Sequence, residues 1–151
     1  MHPEFCKRLV AMQLAEARRR TDLFSAAAVL EQAGYPEFFV RFVNKHGVTR
    51  VLRFECTNYD SQPIAVEPVD PSTRELLPVS AWMRCGGGEF PTHQMKGGRP
   101  FFCVAGTRDY YTHESHRPSV TDERWEKWRA EFCIADLIQL IKGKFANGGW
   151  E

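Results

Sequence analysis

The residues most able to do chemistry lie close together between Cys85 and His116. This stretch contains two of the five cysteines, three of the five histidines and six of the eleven glycines of the chain. Nucleophilic and proton-transferring side chains alternate there with turn-forming glycines, which is typical of a site built from loops and not of a hydrophobic core. We therefore place the candidate site in this stretch.

Cys103 is the best candidate for the centre of that site. It follows two phenylalanines and precedes a short run that ends in Gly106, a pattern that predicts a buried strand opening into a loop. A cysteine reacts as its thiolate, so it needs a neighbouring base or cation. His113 and His116 follow closely in sequence and are candidate proton acceptors, with His93 as a third.

Charged side chains near the candidate thiol are compatible with more than one kind of site. Arg99 and Arg108 would favour the thiolate through their positive charge. Asp109, Glu114 or Asp122 would orient a histidine in a Cys–His–acid hydrolase, although their order matches no particular hydrolase. The structural alternative is that the cysteine is simply a small buried hydrophobe.

A metal site is another interpretation of the same residues. Cys103, His113 and His116 carry donor atoms that zinc prefers, and Cys85 or His93 would complete a set of four. The spacing matches no standard zinc signature, and the chain contains no Cys-x-x-Cys pair. If Cys103 acts as a nucleophile instead, we expect no metal and no other cofactor.

The bulk composition limits the classes of function. The 151 residues predict one domain, 1–151, and a formal net charge of +1 gives no strong field to attract nucleic acid or anionic lipid. No apolar run approaches the roughly 18 residues of a membrane helix, and the N-terminus lacks the apolar region of a signal peptide. Five irregularly spaced cysteines are typical of free thiols. We therefore expect a cytoplasmic protein with no nucleic-acid or membrane partner.

The elements that must position the site begin with a helical N-terminal part, residues 1–35. The spacing of apolar residues, with a proline at the third position, predicts a first helix over residues 3–20. Thr21 or Asp22 would cap a second, alanine-rich helix over residues 23–32.

Apolar residues then recur with a period of two, which predicts β-strands. Strands are expected over residues 39–43, 49–56 and 64–69, with an ambiguous extended piece over 76–82. Pro68 indicates a sheet edge or a strand end, because proline cannot donate a ladder hydrogen bond. Short connections predict that neighbouring strands pair as an antiparallel meander.

A single long helix is expected near the C-terminus, over residues 122–144, followed by a tail over 145–151. Apolar residues recur at helical spacing within it, namely Trp125, Trp128, Phe132, Ile134, Leu137, Ile138 and Ile141. Cys133 in this helix and Cys56 on the second strand are expected to be buried packing residues. The order of elements predicts an α+β fold with helices to one side of the meander.

This order, together with His93 and Cys103, resembles the ubiquitin-conjugating (UBC) fold. That family has an N-terminal helix, a four-stranded antiparallel meander, an extended segment that carries the catalytic cysteine, and C-terminal helices. Its signature places a histidine ten residues before the cysteine, as His93 stands before Cys103 here. Gln94 and Met95 replace the family's Pro-Asn pair, so the asparagine that supports the oxyanion has no clear counterpart.

A closer resemblance, over roughly residues 35 to 145, is to bacterial ubiquitin-conjugating-like proteins. They carry a Cys-x-x-Gly-x-x-Glu-Tyr-His-x-His-x-x-His segment before a tryptophan-containing stretch. The matching residues here are Cys103, Gly106, Tyr110, His113 and His116, with Trp125 beyond them. Asp109 replaces the glutamate and Tyr111 the first histidine of a segment that has also been taken as a metal site.

The resemblance implies a Cys-dependent transferase. Cys103 would take the C-terminal carbonyl of a ubiquitin-like protein from an adenylating-type activating enzyme as a thioester, and pass it to an amine of a target protein. His113 would move the protons, with His116 and His93 as further candidates, and backbone N–H groups near Gly106 would serve the oxyanion. The resemblance also implies a role in anti-phage defence. The alternative is a non-catalytic UBC-fold adaptor, or a zinc-binding protein that uses Cys103, His113 and His116.

Overall fold

A four-stranded antiparallel sheet lies at the centre of the computed structural model, which describes residues 2–82, 95–96, 99–100, 104–112 and 124–147. The strands follow chain order and are β1 (Ala28–Gln32), β2 (Glu37–Val43), β3 (Thr49–Glu55) and β4 (Ala65–Val69). Each strand pairs with its neighbour in sequence, which confirms the predicted meander. β4 lies at an edge of this sheet, as Pro68 indicated.

Helices complete the fold and flank the sheet. They are α1 (Pro3–Arg19), α2 (Arg108–Thr112), α3 (Trp125–Trp128) and α4 (Ile134–Asn147). A short 3₁₀ turn spans Val79–Ala81, and two short strands, β5 (Met95–Lys96) and β6 (Arg99–Pro100), pair with each other. The predicted α+β class is confirmed. Within the described part of the chain, no helix has the length and apolar character needed to cross a bilayer.

The main hydrophobic core lies between one face of the sheet and the helices α1 and α4. α1 buries a stripe one helical turn apart, made of Cys6, Val10, Leu14 and Ala17. In the sheet, Phe38 stacks on Phe54 with ring centroids 4.6 Å apart, and Phe42 stacks on Phe145 of α4 at 5.6 Å. Alternate residues of the strands therefore face the helices, as the period of two predicted.

The opposite face of the sheet carries a small apolar cluster of Phe39, Val51 and Val69, together with several ion pairs. Glu31 of β1 pairs with both Arg41 and Arg74 at 2.7 Å, and Arg53 of β3 pairs with Glu67 of β4. Glu67 is buried, but the other side chains are partly exposed, and exposed pairs contribute about 0–1 kcal/mol each. The apolar contacts of the other face therefore carry most of the stability of the sheet.

The second predicted helix is wrong, because residues 28–32 form β1. Ser25 and Ala28 exchange backbone hydrogen bonds of 3.0 and 3.1 Å around a tight turn. That turn directs the chain alongside β2, where Ala28 pairs with Phe42 and is fully buried. Pairing along a full strand overrides the helix propensity of an alanine-rich segment, since propensity is worth only tenths of a kcal/mol per residue.

The fourth strand of the meander is therefore β1 and not the piece over residues 76–82. After β4, Leu76 makes a single bridge back to Val69, and the chain continues into the 3₁₀ turn. The indole N–H of Trp82 donates to the carbonyl of Leu77 at 3.0 Å, which closes this segment on itself.

The predicted C-terminal helix is two helices, since residues 129–133 separate α3 from α4. α4 begins after Cys133, whose backbone N–H donates to the carboxylate of Asp136 at 2.9 Å. The N–H of Ile134 donates at 3.0 Å to Gln13 of α1, and Gln13 also accepts at 2.8 Å from the hydroxyl of Tyr59. The hydrogen-bonding capacity of the backbone N–H groups at the start of α4 is thus satisfied partly by a side chain that is distant in sequence. α4 also runs to Asn147, into the predicted tail.

Candidate functional site

The predicted catalytic residues Cys103, His93, His113 and His116 lie outside the described residues, as does Cys85. The structure describes the chain on either side of Cys103, as β5 and β6 before it and residues 104–112 after it. We refer to residues 104–112 as the anchor segment.

The anchor segment begins with a turn that leads into α2. Val104 is buried, and its carbonyl accepts from the Thr107 hydroxyl at 2.7 Å and from the Thr107 N–H at 3.0 Å. The Thr107 hydroxyl in turn accepts from the N–H of Tyr110 at 3.4 Å. Thr107 therefore acts as the N-cap of α2, and Asp109 in the first turn complements the helix dipole.

Gly106 is required at its position for two reasons. Its φ is +94°, in the region that residues with a Cβ rarely adopt. A Cβ there would also lie 2.5 Å from Cζ of Phe132. Gly106 thus packs closely against Phe132, which lies between α3 and α4.

The backbone N–H groups near Gly106 were predicted to support an oxyanion, but those described from Gly106 to Arg108 have acceptors within the chain. The N–H of Gly106 donates to the hydroxyl of Tyr111 at 3.3 Å, that of Thr107 to Val104, and that of Arg108 to the carbonyl of Ile64 at 2.8 Å. These three N–H groups therefore hold the local structure together.

Arg108 joins the anchor segment to the sheet. Its Nη1 lies 2.8 Å from a carboxylate oxygen of Glu55 at the end of β3, and its Nε donates to the carbonyl of Pro63 at 3.2 Å. Thr107 forms a parallel bridge with Ile64, directly before β4. The charge that was expected to favour a thiolate is therefore paired with a carboxylate.

Aromatic rings hold the other side of α2. Trp125 of α3 is almost completely buried, and its ring lies 5.7 Å from that of Tyr111 and 6.3 Å from that of Tyr59. Its indole N–H donates to the carbonyl of Asp60 at 2.9 Å. An open cavity of about 370 Å³ adjoins Tyr111 and Trp125, next to the end of α2.

The three described cysteines are poor nucleophiles. Cys6 and Cys56 are fully buried, and burial raises the pKa of the Cys56 thiol, which confirms it as a core residue. Cys133 is half-buried and directly precedes the first residue of α4, so it does not lie within a helix as predicted. Burial and the nearby carboxylate of Asp136, which its thiol contacts at 3.0 Å, raise its pKa as well. The Cys56 and Cys133 thiols are therefore shifted away from ionisation near neutral pH.

The metal and hydrolase interpretations depend mainly on residues outside the described ranges. Within those ranges, no three histidine, cysteine, aspartate or glutamate side chains are grouped so as to hold a metal ion. Of the acidic residues proposed to orient a histidine, Asp109 lies in the first turn of α2, whereas Glu114 and Asp122 lie outside the described residues.

Comparison with known proteins leaves the family open. No family model matches the chain. The chain is similar to the uncharacterized protein y4jH of Sinorhizobium fredii, with 25% identity over 142 residues, covering 74% of this chain and 67% of that protein. This similarity carries no functional assignment.

Proposed function

We propose that this chain is a ubiquitin-conjugating-like transferase that carries a ubiquitin-like protein as a thioester on Cys103. An activating enzyme of the adenylating type would load it, and a target-protein amine would receive the modifier in the cytoplasm. The proposal is supported by the resemblance of residues 103–116 to the bacterial proteins and by the order of helix, four-stranded meander and C-terminal helices. A role in anti-phage defence belongs to the same proposal.

The observation that carries the proposal is the anchoring of the chain directly after Cys103. Val104, the next residue, is buried, and Thr107 and Arg108 attach the following turn to the sheet at Ile64 and Glu55. A nucleophile benefits from a rigid neighbouring backbone, because small displacements of a reacting atom cost large factors in rate. The described thiols Cys6, Cys56 and Cys133 do not compete for this role.

The proposed chemistry consists of two acyl transfers and needs no redox step. The Cys103 thiolate attacks the carbonyl carbon of the thioester on the activating enzyme, forming a new S–C bond and releasing the enzyme's own thiolate. An amine nitrogen of the target then attacks the same carbon, the C–S bond breaks, and Cys103 leaves as a thiolate. The proton lost by the amine passes to a base, for which we propose His113, with His116 or His93 as alternatives.

Competitive alkylation tests the nucleophile without any partner protein. Native protein is treated with a limiting amount of iodoacetamide near neutral pH, and the modification of each cysteine is followed by peptide mass spectrometry. We expect Cys103 to react at least about tenfold faster than Cys56 or Cys133, because only an ionised and accessible thiol reacts quickly.

The control for this experiment is the same reaction in concentrated guanidinium chloride, where all cysteines should react at similar rates. Equal rates for Cys103 and Cys56 in the native protein would contradict the proposal.

Metal analysis of the purified protein distinguishes the transferase from the alternative function, a zinc-binding protein. One zinc per chain, lost in Cys103→Ser, would favour the zinc-binding protein, because a zinc-bound thiolate is not free to form a thioester.

A further inference from the structure

Arg108 makes three contacts that attach α2 to the sheet. Its guanidinium contacts Glu55 of β3 and the carbonyl of Pro63, while its backbone N–H donates to Ile64. One residue thus connects α2 to two separate parts of the sheet region. Its side chain is 29% exposed and that of Glu55 22%, so the pair is partly shielded from water.

Glu55 is held firmly enough to serve as the fixed end of this connection. It ends β3, which pairs with β2 on one side and β4 on the other. One of its carboxylate oxygens accepts from the N–H of Thr57 at 2.7 Å, and the other faces Arg108. Burial alone would raise the pKa of Glu55, but the hydrogen bonds from Thr57 and the charge of Arg108 outweigh it, so the net pKa lies below its ordinary value. Glu55 is therefore ionised at neutral pH.

We propose that Arg108 is a positioning residue for the Cys103 reaction, which acts by fixing the anchor segment to Glu55 and not by the effect of its charge on the thiolate. This inference rests on the proposed function, since it concerns the same reaction. The ion pair belongs to the folded architecture of described residues: strand β3, the turn before β4, and α2.

Positioning and direct charge stabilisation predict different results for the two partners. If the charge of Arg108 stabilised the thiolate, Arg108→Gln would raise the pKa of Cys103, and Glu55→Gln, which removes an opposing negative charge, would lower it. If the pair acts as a tether, removing either partner breaks the same contact. The two substitutions should then change both readouts in the same direction, and the double variant should be no worse than Arg108→Gln, which also loses the contact with Pro63.

Two measurements on the full-length chain test the tether. The first is amide hydrogen exchange of residues 104–112. We expect about tenfold faster exchange in Arg108→Gln, in Glu55→Gln and in the double variant, because each variant loses the stability that one charge-assisted hydrogen bond provides. The second is the rate at which Cys103 is acylated by a synthetic peptide thiobenzyl ester, releasing benzyl mercaptan. We expect it to fall about tenfold in the same three variants, with the pKa from its pH profile unchanged.

Arg74→Gln is the matched control. Arg74 also pairs with a strand carboxylate, Glu31, at 2.7 Å and with similar exposure, but Glu31 lies on β1, two strands away from β3 in the sheet. Neither readout should change in this variant. Arg108→Lys should restore part of the acylation rate, because lysine keeps the charge but cannot reach Glu55 and Pro63 together with the same planar geometry.

The tether would be contradicted if the pKa of Cys103 moved in opposite directions in Arg108→Gln and Glu55→Gln, if exchange of residues 104–112 were unchanged, or if Arg74→Gln had the same effects. The two proposals fail separately. A wild-type chain that is not acylated at Cys103, while exchange is still accelerated in both variants, would remove the proposed function and leave the tether intact.

Discussion

Gly106→Ala is expected to destabilise the protein by about 2–5 kcal/mol. An alanine at a φ of +94° costs about 1–2 kcal/mol. Its methyl group would also meet the ring of Phe132, and overpacking of this kind typically adds about 1–3 kcal/mol. The measurement is the free energy of unfolding from urea denaturation followed by tryptophan fluorescence.

A second glycine and a double variant separate these contributions. Gly47 also has a positive φ, +79°, but has open space where a Cβ would lie, so Gly47→Ala should show the backbone cost alone. In the double variant Gly106→Ala, Phe132→Ala the clash is removed, and its effect should be smaller than the sum of the two single effects. If Gly106→Ala costs no more than Gly47→Ala, Phe132 does not close the turn after Cys103 as described.

Trp125→Ala is expected to cost about 3–5 kcal/mol, the range for removal of a large buried aromatic side chain. Trp125 is 5% exposed and contacts Tyr59, Tyr111 and Phe132. Because Tyr111 belongs to α2, the loss should also accelerate hydrogen exchange in the anchor segment. Thermal unfolding and exchange of residues 104–112 measure the two effects.

Two further substitutions serve as controls for Trp125. Trp125→Phe keeps a ring but loses the hydrogen bond to the carbonyl of Asp60, so we expect a smaller cost of about 1–2 kcal/mol. Trp128, in the same helix, is 36% exposed, and Trp128→Ala should cost less than about 1.5 kcal/mol. Equal effects of Trp125→Ala and Trp128→Ala would contradict the placement of Trp125 in the core.

Much of the fold was predictable because local patterns decide it. Alternation of apolar residues identified β2, β3 and β4, and Pro68 indicated an edge or a strand end. The alanine-rich segment that became β1 was assigned to a helix, because its pairing with β2 is a tertiary effect that local propensity does not contain. The division of the C-terminal helix was missed for the same reason: Gln13, which accepts from Ile134, lies in α1.

The candidate site was predictable only as a list of residue types. The glycine at position 106 indicated a turn, but not that Phe132 covers this turn. Arg108 was expected to act on a thiol, whereas its guanidinium contacts Glu55. Each of these contacts joins residues tens of positions apart, and a single sequence contains no signal for such pairs. Trp125 was identified only as one of the apolar residues at helical spacing, and its contact with Tyr111 followed from no local pattern.

The most direct test of the central claim is a conjugation assay with a cognate activating enzyme and ubiquitin-like protein. The chain is incubated with both proteins and ATP and analysed on gels with and without reductant. We expect a reductant-sensitive adduct on the wild-type protein and on Cys85→Ala, a reductant-resistant oxyester on Cys103→Ser, and no adduct on Cys103→Ala. A reducible adduct that persists in Cys103→Ala would contradict the claim that Cys103 carries the modifier.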